Sequence, residues 1–256
     1  MVKPEFNVVI RDFYDNRAKV ENSKLYEILN SMPKGGLHHI HTSAAPPVAT
    51  YMSLTYEPIV YYNDRERLFK IFPNESFKED GYVSCVEMRN FHKDPSVYDE
   101  YLKNQILLTK EQTEGRSSHD IWKHFQHKFT KVTEIGKYYK FFRILLKATI
   151  DSCTAQNIFI VELRHISGML FDDNREPMGL LAELDIINEV IQETKQKLPH
   201  FELMLVLTGL KIVGLPHINK MIEHIQIGKQ KYPNLIAGFD MVNEEDYTAQ
   251  IESFMP

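Results

Sequence analysis

The chain has 256 residues, 43% of them hydrophobic and 25% charged, with a formal net charge of −5. These values suit one large globular domain or two small ones. The negative balance argues against a main activity on the phosphate backbone of nucleic acids, while leaving room for a local basic patch. Cys85 and Cys153 cannot make a disulfide framework and read as two reduced thiols.

The N-terminus, MVKPEFNVVIRDFYDNR, carries acidic residues and no apolar stretch of signal-peptide length. No run of about 18 apolar residues occurs, so no membrane span is expected. With reduced thiols, this makes the cytoplasm the expected location. Lys24–Ser31 is a helix candidate that stops before Pro33 and the Gly35-Gly36 pair. Gly36–His41 (GLHHIH) reads as a short strand. Residues 47–95 read as an inserted, strand-containing segment of low regularity, with turn signals at Pro73-Asn74 and Asp80-Gly81.

Helical patterns follow at Tyr98–Thr109, Ser118–Thr130 and Ile135–Gln156. Ile158–Leu163 (IFIVEL) is a continuous apolar run, as in a strand of a parallel sheet buried on both faces. Pro177–Lys197 is helical, with Leu180, Leu181, Leu184, Ile187 and Ile191 on one stripe. Phe201–Thr208 is the next strand, Leu215–Lys231 the next helix and Leu235–Asp240 the last strand; Glu244–Phe254 opens a further helix.

This order predicts an α/β fold with parallel strands and right-handed crossovers. About four strands make half of an eight-stranded barrel. A doubly wound open sheet is the alternative, although no Gly-x-Gly-x-x-Gly turn follows any strand. Side chains alternate along a strand, so His39 and His41 share one face while His38 and Ile40 share the other. Two imidazoles so placed can reach one divalent metal, or can be a polar pair at a strand end. A catalytic zinc site needs a third protein ligand besides. Glu162 and Arg164 read as a structural polar pair. Trp122, Phe125 and Phe129, at helical spacing, read as core. Asp240 reads equally as a loop anchor or a functional carboxylate. His200, His217 and His224 read as surface residues on the wrong side of the sheet for ligation.

MPKGGLHHIH (32–41) resembles the first-strand motif MPKG-x-L-x-H-x-H of the adenosine deaminase family, in its adenosine deaminase growth factor branch, whose members are of secreted type. IWKHFQHKF (121–129) resembles the branch's Trp-x-x-Phe helix, and NIFIVELR (157–164) its Tyr-x-Glu-x-Arg second strand. KYPNLIAGFDMVNEED (231–246) is similar to its fourth strand, FPxxVAGFDLVGxED. The resemblance implies the first half of a metal-dependent-hydrolase (β/α)8 barrel: residues 1–31 a short helical extension, and 32–256 a partial barrel carrying 47–95 as an insertion after strand 1.

The family reaction it implies is zinc-dependent hydrolytic deamination of adenosine to inosine and ammonia. Zn2+ is held there by the first-strand His pair, a His on strand five and an Asp on strand eight, with a Glu as proton donor. By matching position, His39 and His41 are the first two metal ligands. The remaining groups have no counterpart: neither His-x-x-Glu nor Ser-Asp-Asp occurs. No catalytic residue is therefore assigned, and Zn2+ is expected only at an incomplete site.

Two pocket positions depart from the family. The Asp after the second His, used there on the ribose, is replaced by Thr42-Ser43, and the Gly after strand four by Asn243. Thr42, Ser43 and Asn243 are accordingly the substrate-binding candidates. The chain alone is expected to be inactive, and a pseudoenzyme serving as a structural or interaction module is the alternative. Half a barrel leaves two sheet edges and an apolar inner face open, so a further chain or a homo-oligomer is expected to cover it. A purine nucleoside would bind only once it is completed; neither nucleic acid nor a membrane is an expected partner.

Overall fold

A computed structural model describes residues 13–254, apart from 246. The expected N-terminal extension lies in part outside the described residues. Its described part is helical: α1 (Phe13–Glu21) and α2 (Lys24–Ser31). Ser23 starts α2, its hydroxyl accepting from Tyr26 N and so satisfying one of the helix's unpaired N–H groups. The chain then extends through Pro33 and the two glycines into β1 (Leu37–His41).

The 47–95 segment is more regular than its sequence suggests. It holds α3 (Val48–Leu54), β2 (Val60–Asn63), β3 (Leu68–Ile71), β4 (Val83–Ser84) and α4 (Cys85–Phe91). The three strands form an antiparallel sheet ordered β3-β2-β4. Next come α5 (Pro95–Ile106), α6 (Lys110–Thr113), α7 (Ser118–Lys137) and α8 (Tyr139–Ala155). α7 runs past the expected end at Thr130 to Lys137, α8 starts later than expected, and the two are separated at Tyr138. There the backbone turns extended to pair with Phe171: Tyr139 N donates to Phe171 O, and Phe171 N to Lys137 O. The buried Tyr138 ring packs on Phe171, so a tertiary contact rather than a proline breaks the helix.

β5 (Ile160–His165), α9 (Leu180–Lys197), β6 (Glu202–Leu210), α10 (Leu215–Lys231) and β7 (Ile236–Val242) follow the expected alternation. The four main strands form one parallel sheet in chain order, β1-β5-β6-β7. This is the mixed α/β fold with parallel strands read from the sequence. The expected terminal helix is reduced to a single 3-10 turn at Ile251–Phe254.

One face of the sheet is dry. Val161, Leu163, Leu203, Leu205, Leu207 and Ile236 meet Phe142, Leu146 and Ile150 of α8 and Leu184 and Ile187 of α9. α10 comes close enough that a Cβ on Gly228 would fall 2.4 Å from Ile236 Cδ1. A second core gathers α3, β2, β3, α5, α7 and α8 around Phe69, Leu102, Ile135 and Phe141. Cys85 and Cys153 are buried and unpaired, and burial pushes the Cys85 thiol up to about 12. No helix among the described residues is long and apolar enough to cross a membrane.

The opposite face, expected to be apolar, is mixed, with charged residues beside Met204 and Val206. Alternation along β5 sends Glu162 and Arg164 to it, while Val161, Leu163 and His165 go to the core. Arg164 Nε lies 3.2 Å from Asp240 Oδ2 and Nη1 3.7 Å from Glu162 Oε2, so the pair read from sequence is part of a wider ionic network.

His224 is not on the surface. It is 8% exposed and pairs with Ser167 Oγ at 2.8 Å. Burial foremost, then the charge of Lys220, lowers its pKa from the ordinary 6.5, against weaker opposing effects of Glu183 and Glu223. His217 shifts the same way from burial. A histidine lowered in the folded state takes up fewer protons there than in the unfolded chain, so its contribution is present above about pH 6.5 and is lost as the pH falls below it. Urea unfolding at pH 7 and pH 5 should therefore show a loss of stability on acidification that His217→Gln/His224→Gln reduces. An unchanged pH dependence in that variant would contradict the assignment.

Candidate functional site

β1 is the edge strand that carries the histidines. Its register slips between Leu37, opposite Val161, and Ile40, opposite Leu163, so three residues of β1 span two of β5. Leu37 and Ile40 thus both reach the core. The bulge breaks strict alternation, and His38 does not share the face of Ile40 but turns to Glu162, with Nδ1 3.3 Å from Oε1. His39 and His41 still converge: their Nε2 atoms are 3.3 Å apart and their ring centroids 5.2 Å apart. Burial, then His39, lowers the His41 pKa, which keeps a lone pair free near neutral pH.

The 3.3 Å separation carries information. Two nitrogens at about 2.0–2.1 Å from one zinc, at the tetrahedral angle, lie about 3.3–3.4 Å apart. The pair therefore fits two corners of a zinc site. It equally fits one N–H···N hydrogen bond between the rings. Among the described residues no group of three His, Cys, Asp or Glu side chains is gathered to hold an ion. The donor set is thus a half-site, and no catalytic step can be routed through it as it stands.

The histidine pair opens into a cavity of about 490 Å³, lined also by Ser43, Asp240, Asn243 and one face of α7. Trp122, Phe125 and Phe129 lie on that face, so they are cavity wall rather than core. Their rings step along the helix, with centroids 5.4 and 4.7 Å apart. α7 is held over this end of the sheet by His119 Nδ1, 3.1 Å from Glu244 Oε1 in the segment after β7. In the same segment Glu245 lies 2.7 Å from the buried Lys211. Helical spacing showed that these aromatics share a face, but not whether the sheet or a void lies opposite.

A second cavity, of about 430 Å³, shares His41 and Ser43 and adds Thr42, His165, Glu183 and His217. All five residues singled out from sequence, His39, His41, Thr42, Ser43 and Asn243, thus line two adjoining cavities. The Thr42 hydroxyl is already engaged, donating to Arg164 O at 2.9 Å and lying 3.1 Å from His165 Nδ1. Ser43 O accepts from Tyr51 OH at 2.8 Å. His217 is not on the wrong side of the sheet. α10 starts directly after β6, so its first turn stands at the end where His41 lies, and His217 Nε2 is buried without a hydrogen-bond partner among the described residues. His200 is exposed and packs against Phe159.

The sequence reading missed His165 and Glu183. His165 Nε2 pairs with Glu183 Oε1, and Glu183 Oε2 accepts from Gly168 N at 2.7 Å and Met169 N at 3.1 Å. Gly168 has φ +76°, and a Cβ there would fall 2.7 Å from His224 Cε1, so the turn that aims its N–H at the carboxylate requires glycine. The available signal was Glu183 itself, a lone charge on the apolar stripe of α9.

No protein-family model matches the chain. It is 23% identical over 248 residues to adenosine deaminase 2-A of Danio rerio, covering 91% of this chain and 48% of that protein. It is 22% identical over 250 residues to adenosine deaminase 2 of Homo sapiens, covering 91% and 48%, and 22% identical over 241 residues to an adenosine deaminase of Lutzomyia longipalpis, covering 91% and 47%. The chain spans about half the length of the curated relatives it matches. A crystal structure of Arabidopsis ADAL complexed with IMP superposes with a TM-score of 0.52 at 12% identity, covering 89% of this chain and 54% of that one. The chain is similar in sequence to adenosine deaminases, and its mixed α/β fold with a four-stranded parallel sheet is similar to the ADAL fold over about half of that protein. The expected cytoplasmic location does not stand: the matched relatives include adenosine deaminase 2 proteins, the branch described above as secreted.

Removing Glu183 leaves the buried His165 and the N–H groups of Gly168 and Met169 without their partner. Glu183→Ala should cost about 3–5 kcal/mol of unfolding free energy, measured by urea denaturation. A loss below about 1 kcal/mol would show that the His165–Glu183 pair does not hold the turn.

Proposed function

We propose that this chain supplies the first four strands of an adenosine deaminase-type barrel, with the first two zinc ligands on β1. The single observation that carries the reading is the convergence of His39 and His41 Nε2 at 3.3 Å, at the end of a parallel sheet whose strands run in chain order. Similarity to adenosine deaminases over 91% of the chain supports the reaction class.

In this reading His39 and His41 would hold the ion, which would supply Lewis acidity able to bring the pKa of a water toward neutrality. Burial keeps His41 unprotonated and ready to ligate. Arg164 and Asp240 fix each other beside the pair, and Arg164 also donates to His38 O, which ties the histidine strand to β5. The aromatic face of α7 and the Asn243 loop bound the space where a purine nucleoside would sit. The remaining ligands and the proton donor come from further strands, in the same or another polypeptide, that pair with the outer edges of β1 and β7.

A second reading, a non-catalytic module that associates through those edges, is favoured by the pocket changes. Thr42 spends its hydroxyl on Arg164 O and His165, and Asn243 puts a side chain where the family has Gly.

Two measurements separate these. Calorimetry on the purified chain should give weak Zn2+ binding that is lost in His39→Ala and His41→Ala, and an ultraviolet assay should show no adenosine turnover by the chain alone. Tight stoichiometric binding that survives both substitutions would contradict the ligand assignment. Zinc-dependent inosine formation would contradict the need for completion, and absence of any histidine-dependent zinc binding would leave the module reading.

A further inference from the structure

Away from the histidine pair, α7 buries two lysines. Lys128 and Lys131 stand one turn apart on one face of the helix and are 7% and 8% exposed. Lys128 Nζ donates to Asn104 O at 2.8 Å, and Lys131 Nζ to Gln105 Oε1 at 2.8 Å, both at the end of α5. Each acceptor is neutral, and each ammonium has three donors.

The charges acting on the two lysines are also unusual. Lys131 acts on Lys128, and Arg67, on the turn between β2 and β3, acts on both; all of these are cations. Asp64, on the same turn as Arg67, accepts instead from Tyr101. Burying an ammonium without a counter-charge is costly, and native structures normally pair it. Here two buried ammonium groups stand one turn apart with spare donors, on acceptors from adjacent residues, and the charge of Arg67 adds to theirs. Lys128 also lines a cavity of about 230 Å³, whose wall includes Ser43 and Tyr51.

We propose that Lys128, Lys131 and Arg67 form an anion site for a phosphate group, between α5, α7 and the β2–β3 turn. A phosphate dianion matches the site in charge and in number of acceptors, since its oxygens can take the unused N–H groups of both lysines and the guanidinium. Two sources share this chemistry: inorganic phosphate, and a phosphate ester that reaches in from the neighbouring cavities. Ser43 lines all three cavities, so a nucleoside monophosphate is the ester to test. The site does not depend on the zinc reading, because none of its residues lies on β1.

The test is thermal unfolding of the full chain, in EDTA, titrated with inorganic phosphate against chloride at matched ionic strength. Phosphate should raise Tm saturably, and Lys128→Met and Lys131→Met should each raise Tm in chloride, because an unpaired buried charge is gone, while weakening the phosphate response at least tenfold. Arg67→Gln, at an exposed turn position, provides a variant whose folding is not in question and should weaken the response severalfold. Phosphate that acts no better than chloride, or variants that respond as the parent does, would overturn the proposal. Inosine 5′-monophosphate and inosine, run in parallel, identify the source. A lower half-saturation for the nucleotide than for phosphate, dependent on Lys131, indicates the ester; equal values indicate the free anion.

Discussion

The parallel ladder between β1 and β5 is the constraint on which the candidate site rests. β1 is a short edge strand, and by itself its five residues would not hold two imidazoles in one place. β5 holds it from several directions. Leu37 and Ile40 sit on the core opposite Val161 and Leu163, Thr42 N donates to Arg164 O at 3.0 Å, and the Thr42 hydroxyl reaches the same carbonyl. Arg164 closes the arrangement by donating to His38 O while it pairs with Asp240 on β7. The positions of His39 and His41 follow from these bonds. The bulge shifts His38 away to Glu162 and leaves the other two histidines facing each other.

Behind the ladder lies a buried polar chain from Thr42 through His165 to Glu183 and the Gly168-Met169 backbone. It links the segment after the histidines to the start of α9. Every member of the chain has a partner, which is the condition under which a buried polar network rigidifies rather than destabilises. It also engages Thr42, one of the substrate-binding candidates. Its hydroxyl serves the fold, and a carboxylate there would face the Arg164 carbonyl.

Much of this was legible in the sequence, for identifiable reasons. The apolar runs of β5 and β6 and the stripes of α9 and α10 answer to one environment, a sheet covered by helices, so period and composition placed them well. The α7 aromatics answer to two environments. A face of Trp122, Phe125 and Phe129 has the same spacing whether it meets a sheet or a cavity, and only the tertiary arrangement shows the latter. The break at Tyr138 and the buried His224 depend on partners far along the chain, Phe171 and Ser167, which no local pattern reveals. The β1 bulge escaped for the same reason, because alternation assumes a register that only the neighbouring strand sets. On the open face, alternation places Glu162 and Arg164 together, but the third member of their ionic network, Asp240, joins from a strand far along the chain.

The account stands on the two imidazoles meeting one ion from β1. Zinc K-edge X-ray absorption on the zinc-loaded chain tests this most directly. The account predicts scattering from two imidazoles at about 2.0–2.1 Å, with lighter oxygen donors completing the shell, and a loss of the imidazole signature when either histidine is replaced by alanine. A spectrum without imidazole scattering, or one unchanged by His41→Ala, would contradict it.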